Sequence, residues 1–315
     1  MGLSREGVSL EVDFAGVRFK NPVLVASGTF GFGREFARIY DLSLLGGICV
    51  KGTSLEPRRG NPPPRIFETA SGMLNAIGLQ NDGVDSFISD KLPFLRQFDT
   101  KVVVNIVGDR VEDFAGLAAR LDGVPGVHAL EINISCPNVE HGHAEFASDP
   151  AMTHRVVRAV RERTRLPVIP KLSPNVADIR PFARACQDAG ADGISLINTL
   201  VGTAIDIRTR TFRLANVTGG LSGPCIKPVA LRMVYQAAQE VSIPVMGIGG
   251  IATAEDAIEF LLAGARCVQV GTVNFVDPLA PLSIIEGIRD YLASNGFSSP
   301  SEIVGTVRRI GEERP

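Results

Sequence analysis

Short, almost uniformly apolar runs recur along the chain, with amphipathic stretches between them. The runs are VLVAS at 23–27, GICVK at 47–51, KVVVNIV at 101–107, HALEINIS at 128–135, PVIPKL at 167–172, GISLIN at 193–198, IPVMGIG at 243–249 and RCVQVG at 266–271. They lack the alternation of a strand with one wet face and read as strands buried on both faces. Between them, 111–121, 152–164, 178–190 and 254–264 carry apolar residues at helical spacing. Gly190 and Gly264 stand where a helix end favours glycine. Eight such strands alternating with helices predict the α/β class and a (β/α)8 TIM barrel, with 1–315 as a single domain. Ahead of the first run, 9–20 reads as a short N-terminal β-hairpin turning near Ala15 and Gly16, placed to plug the N-terminal end of the barrel. Segment 52–83, rich in Pro and Gly, and segment 199–227, rich in Thr, Arg and Gly, are too long for plain connections. Both follow strands, so they are long insertions at the C-terminal face, where barrels build their sites.

Composition narrows the function classes. With 45% hydrophobic and 21% charged residues the chain has the balance of a well-cored globular protein. A net charge of -2, no run of Lys or Arg, no Trp and three Tyr give little to hold or stack nucleic acid, so no nucleic-acid partner is expected. No apolar stretch is long enough for a spanning helix and the N-terminus lacks a signal core, so no membrane association and a cytoplasmic location are expected. The five cysteines are scattered without a C-x-x-C pair, which fits reduced thiols and predicts no metal site. Cys49, Cys186, Cys225 and Cys267 read as small buried hydrophobes.

The chemistry gathers at strand ends. Lys51, Asn105, Asn133, Lys171 and Asn198 fall at or near the C-terminal ends of five successive apolar runs, where polar side chains are costly unless they serve a ligand or a partner. The turns GIGGI at 247–251 and GT at 271–272 follow the seventh and eighth runs, the usual barrel phosphate site, and let backbone amides approach a phosphate. Cys136 lies in NISCPN at 133–138, where Pro137 ends the strand and sends the thiol into the mouth as an acid, base or nucleophile. His141 and His143 follow it without a matched carboxylate pattern and read as solvated rather than metal-ligating. Strand-end lysines also suit a Schiff-base aldolase, and the placement fits a barrel that binds a phosphorylated ligand without reacting it; spacing alone does not choose among these.

Longer motifs carry a resemblance. NPVLVASGTFGFG at 21–33, ETASGMLNAIGLQN at 68–81, EINISCPNVEHG at 131–142, TGGLSGPCIKPVALRMVYQ at 218–236 and MGIGGIATAEDAIEFLLAGARCVQVGT at 246–272 resemble the dihydroorotate dehydrogenase family, most of all the catalytic subunit of its class 1B branch. The resemblance implies oxidation of dihydroorotate to orotate in pyrimidine biosynthesis, with FMN as cofactor. By its motifs, Ser27, Lys51, Gly52, Asn105, Asn133, Lys171, Ile197, Gly223, Gly249, Gly250, Gly271 and Thr272 would hold FMN. Lys51, Asn75, Ala76, Ile77, Gly78, Leu79, Asn133, Asn198 and Thr199 would hold the substrate, and Cys136 would be the base. It further implies a homodimer of barrels in a heterotetramer with a partner subunit that carries FAD and a 2Fe–2S cluster and passes electrons to NAD+. The related class 1A enzymes, which use fumarate, and a dihydropyrimidine dehydrogenase-like flavin barrel are the alternatives. His143 and Ala147 stand where the family pattern has more glycine, and Cys225 where it has a small apolar residue.

Overall fold

In the computed structural model, residues 4–134 and 148–311 are described. All eight apolar runs become strands: Val23–Val25, Gly47–Thr53, Lys101–Ile106, Ala129–Asn133, Val168–Leu172, Ile194–Leu196, Val245–Ile248 and Ala265–Val270. They pair in parallel in that order, and the eighth returns to the first, closing the barrel. The sixth is shorter than its apolar run suggests, so Ile197 and Asn198 lie just beyond it.

The amphipathic stretches form the outer helices Val111–Leu121, Pro150–Arg161, Arg180–Asp188 and Ala254–Leu262, joined by Lys227–Glu240 and Ala280–Asn295. Helix Pro150–Arg161 starts earlier than its apolar spacing indicates, because the Asp149 side chain caps the Ala151 N–H and Pro150 suits the first turn. Gly190 and Gly264 follow their helices at φ +90° and +116°.

The hairpin pairs Val12–Phe14 with Val17–Phe19 through Ala15 and Gly16, both at positive φ. Phe14 and Phe19 are fully buried and pack with Leu24, Cys49, Val103, Ala129, Ile169, Met246 and Cys267, residues from the barrel strands. The N-terminal end of the barrel is therefore stoppered by two aromatic rings, and ligands reach the interior from the opposite end. Phe14→Ala is expected to destabilise the fold by about 3–5 kcal/mol, the cost of truncating a buried Phe, read as a lower denaturant midpoint at unchanged slope.

The two long insertions are more ordered than their composition suggests. Ile66–Thr69, Gly72–Asn75, Leu200–Thr203 and Thr218–Ser222 form one four-stranded antiparallel sheet. Its central contact joins Gly72–Asn75 to Thr218–Ser222, two segments from different parts of the chain. The sheet forms a roof over part of the C-terminal mouth.

Candidate active site

Beneath the roof lies a cavity of about 310 Å³, within the range of small-molecule sites. Its floor is built by strand ends. Lys51, Asn105, Asn133 and Lys171 come from the second to fifth strands, and Ile197 and Asn198 from the residues after the sixth. Gly52, within the second strand, and Ser27, just past the first, also line the floor. Asn75, Ile77, Gly78, Leu79 and Thr199 approach from the two insertions. Gly78 and Leu79 both sit at positive φ (73° and 57°), which bends the backbone after the roof strand back along the cavity wall.

Gly223, Gly249, Gly250, Gly271 and Thr272 line another part of the cavity. A Cβ on Gly250 would stand 2.8 Å from the Lys227 amide nitrogen and 2.9 Å from the Gly223 carbonyl oxygen. One on Gly249 would stand 2.7 Å from the Ala230 Cβ. Only bare backbone fits this turn, which leaves amides open to a close anionic ligand.

Every residue expected to hold FMN or substrate lines this cavity except Ala76. Ala76 is fully buried with Leu74 and Leu214 under the roof; its N–H donates to the Arg65 carbonyl and its own carbonyl accepts from Asn61. Side chains alternate along extended chain, so with Asn75 and Ile77 facing the cavity, Ala76 faces away. Cys136, with His141, His143 and Ala147, lies outside the described residues.

Charge defines what the cavity takes. Lys51, Lys171 and Arg65 line it, and among the described residues no Asp or Glu does. Burial lowers the Lys51 pKa below the ordinary lysine value, and the nearby Arg65 guanidinium lowers it further. Lys51 makes no ion pair with a described residue, and Arg65 is anchored by the Asn61 carbonyl and the Gln80 side chain rather than by an acid. Two such cations call for an anionic ligand. Lys171 differs: its side chain is 7% exposed and its Nζ lies 3.4 Å from Oε1 of the fully buried Glu131. An amine held in an ion pair is a poor carbonyl nucleophile, which argues against Schiff-base chemistry at Lys171.

Arg65 and Glu131 are the residues that the sequence reading missed. Arg65 sits in a Pro-rich stretch where arginine reads as surface. Glu131 lay in plain view as the one acid inside an apolar strand run, a costly placement that signals partners. Cys225 is a correction: it is exposed rather than packed, with its Sγ 3.8 Å from the Ser222 carbonyl, because it lies on the short turn after the last roof strand. Cys49, Cys186 and Cys267 are buried as expected.

A sequence model described as dihydroorotate dehydrogenase matches residues 9–292. The chain is 57% identical over 298 residues to a protein of Geotalea uraniireducens, covering 95% of this chain and 98% of that one. It is 57% identical over 298 residues to one of Geobacter sulfurreducens, again 95% and 98%, and 52% identical over 301 residues to one of a Thermoanaerobacter species, 96% and 99%. All three are named dihydroorotate dehydrogenase B (NAD(+)), catalytic subunit. A crystal structure of DHODH from Eimeria tenella in complex with ferulenol shares the fold, with a TM-score of 0.78 at 22% identity over 94% of this chain and 88% of that one.

Proposed function

Because the chain belongs to the dihydroorotate dehydrogenase family, we propose that it is the catalytic subunit of an NAD+-linked enzyme that oxidises dihydroorotate to orotate in pyrimidine biosynthesis, with FMN in the cavity. The observation that carries the reading is the charge of the cavity: three cations, no described acid, and a turn of bare backbone amides. Such a site suits two anionic groups at once, a phosphate and a carboxylate. The glycine cradle and the buried Lys171 fit a flavin phosphate and an electron-rich ring system respectively.

In this reading Gly223, Gly249, Gly250, Gly271 and Thr272 hold the FMN phosphate end. Ser27, Gly52, Asn105, Asn133, Lys171 and Ile197 hold the remainder, with Lys51 touching both ligands. Asn75, Ile77, Gly78, Leu79, Asn133, Asn198 and Thr199 orient the substrate. Lys51, with Arg65 behind it, pairs with the substrate carboxylate and fixes one end of the ring. Cys136 takes the C-5 proton as the general base. The chemistry that FMN would supply, when bound, is an acceptor for the C-6 hydride.

Repeated turnover requires that the two electrons leave the reduced flavin and the proton leave Cys136. A separate subunit follows from the names of the relatives; we assign to it the FAD and 2Fe–2S cluster that deliver electrons to NAD+, since this chain has no four-cysteine cluster motif. The proposed assembly is a homodimer of barrels within a heterotetramer. Among the described residues no helix is long and apolar enough to cross a membrane.

The test is to purify the chain, record its visible spectrum and add dihydroorotate without oxygen. Prompt bleaching of a flavin band is the expected result; a yellow protein that stays yellow would assign the barrel to another substrate. Regaining the colour with NAD+ only when the partner subunit is added separates the NAD+ route from the fumarate route. Gly250→Ala is expected to weaken FMN retention about ten- to a hundredfold, because it adds strain of ~1–3 kcal/mol at positive φ and a Cβ against backbone; equilibrium titration of the apoprotein with FMN measures it.

A further inference from the structure

The cavity floor rests on a hub. Glu131 is fully buried inside the barrel, one layer beneath the ligands proposed above. Its Oε1 accepts hydrogen bonds from Asn105 Nδ2 at 2.7 Å and Cys49 Sγ at 3.2 Å and lies 3.4 Å from Lys171 Nζ. Its Oε2 accepts from Gln269 Nε2 at 2.7 Å and Ser195 Oγ at 3.0 Å. With Glu131 itself these groups come from six of the eight barrel strands.

An ionised carboxylate has no proton to give, so every neighbour must donate to it. Asn105 therefore turns Nδ2 down to Glu131 and Oδ1 up. That oxygen accepts from Asn133 Nδ2 at 3.3 Å, and Asn133 Oδ1 then accepts from Asn198 Nδ2 at 3.1 Å. Asn198 Oδ1 accepts from the Thr199 N–H at 2.8 Å. All four of these residues line the cavity. Gln269 shows how strong the demand is: it points Nε2 at Glu131 and leaves its buried Oε1 without a partner among the described residues.

Burial works against ionisation of Glu131, but the Lys171 ammonium and the donated hydrogen bonds outweigh it and hold the carboxyl below its usual range. The titratable groups facing it are Lys171 and Cys49. Burial pushes the Cys49 thiol up, so it stays protonated and donates.

From this geometry, and resting on the flavin and substrate placement above, we propose that Glu131 is a positioning residue. Its charge sets which way the three cavity asparagines present their amides, and how much of the Lys171 charge reaches the flavin. The relay is anchored at both ends by groups that cannot reverse, the Glu131 anion that only accepts and the Thr199 N–H that only donates, and removing the anion frees its foot.

The test compares holoenzyme carrying Glu131→Gln with wild type. Glutamine keeps the shape, removes the charge and can either donate or accept. Without the anion, Lys171 acts unopposed on the negative charge of reduced flavin. The two-electron reduction equilibrium is then expected to move at least tenfold toward reduced flavin, about 30 mV more positive in midpoint potential. The orotate dissociation constant is expected to rise at least tenfold as the amides lose their fixed direction. Glu131→Asp, which restores the charge, is expected to return the potential toward wild type. A flavin-loaded Glu131→Gln with wild-type potential and wild-type orotate affinity overturns the proposal and leaves Glu131 as packing. A wild-type chain that binds no flavin overturns both this proposal and the function it rests on.

Should Glu131→Gln fail to fold, Asn105→Asp tests the same direction. A carboxyl at position 105 can donate to Glu131 and accept from Asn133 only when protonated. FMN retention is then expected to match wild type at low pH and to fall as pH rises; retention independent of pH overturns the relay.

Discussion

Replacing Cys136 by alanine is expected to slow reduction of the bound flavin by dihydroorotate by about 10²–10⁴, the usual contribution of a general base, while FMN stays bound. Loss of the C-6 hydride without loss of the C-5 proton does not complete the double bond, so a base is required. The other thiols offer no substitute: Cys225, though exposed, does not line the cavity. Cys49, Cys186 and Cys267 are fully buried, and burial pushes all three up, away from thiolate. Anaerobic stopped-flow of the flavin band measures the step, and Cys136→Ser is expected to recover part of the rate at higher pH. Equal rates for Cys136→Ala and wild type would remove the thiol from the reaction and leave the flavin site intact.

Lys51→Ala has the second-largest expected effect. A charge-assisted hydrogen bond to a carboxylate contributes ~1.5–3 kcal/mol, so KM for dihydroorotate should rise about ten- to a hundredfold. Arg65 stays in place, so part of the attraction survives. The pH dependence adds a second signature. Burial, then Arg65, lower the Lys51 pKa from 10.5, and the protonated form is the one that binds a carboxylate. Affinity should therefore be full below that lowered pKa and fall as pH rises through it, earlier than for an ordinary lysine. In Lys51→Ala this alkaline limb should disappear. A carboxylate-free dihydropyrimidine turned over as well as dihydroorotate would instead favour a uracil-type substrate.

The barrel was legible because its signal is local: eight apolar runs, and helices whose apolar spacing and terminal glycines lie within a dozen residues. The hairpin was legible for the same reason. The roof was not. Ile66–Thr69 is partly exposed along its length and Thr218–Ser222 is glycine-rich, so neither looks like a strand until it meets a partner far along the chain. Much of the cavity lining was readable from strand ends and motifs, since a lysine or asparagine finishing an apolar run stands out. Ala76 does not line the cavity, because the alternation of side chains along extended chain, hidden within a contiguous motif, turns it into the core under the roof. Glu131 was passed over because its meaning lies in Cys49, Ser195 and Gln269, each an unremarkable residue in its own strand and meaningful only once the barrel brings them together.

The roof also bears on how the site comes into being. Asn75 Nδ2 donates to the Gly220 carbonyl across 145 positions of sequence, and strand pairs of such separation must overcome a large loop-closure entropy before they are rewarded. The segments that contribute them follow the second and sixth barrel strands, so neither half of the barrel holds enough of the sheet to make it alone. The lining of the cavity runs from Ala26 to Phe275, so no fragment of the barrel holds the pocket complete, and ligand capture is expected to report assembly of both halves of the chain.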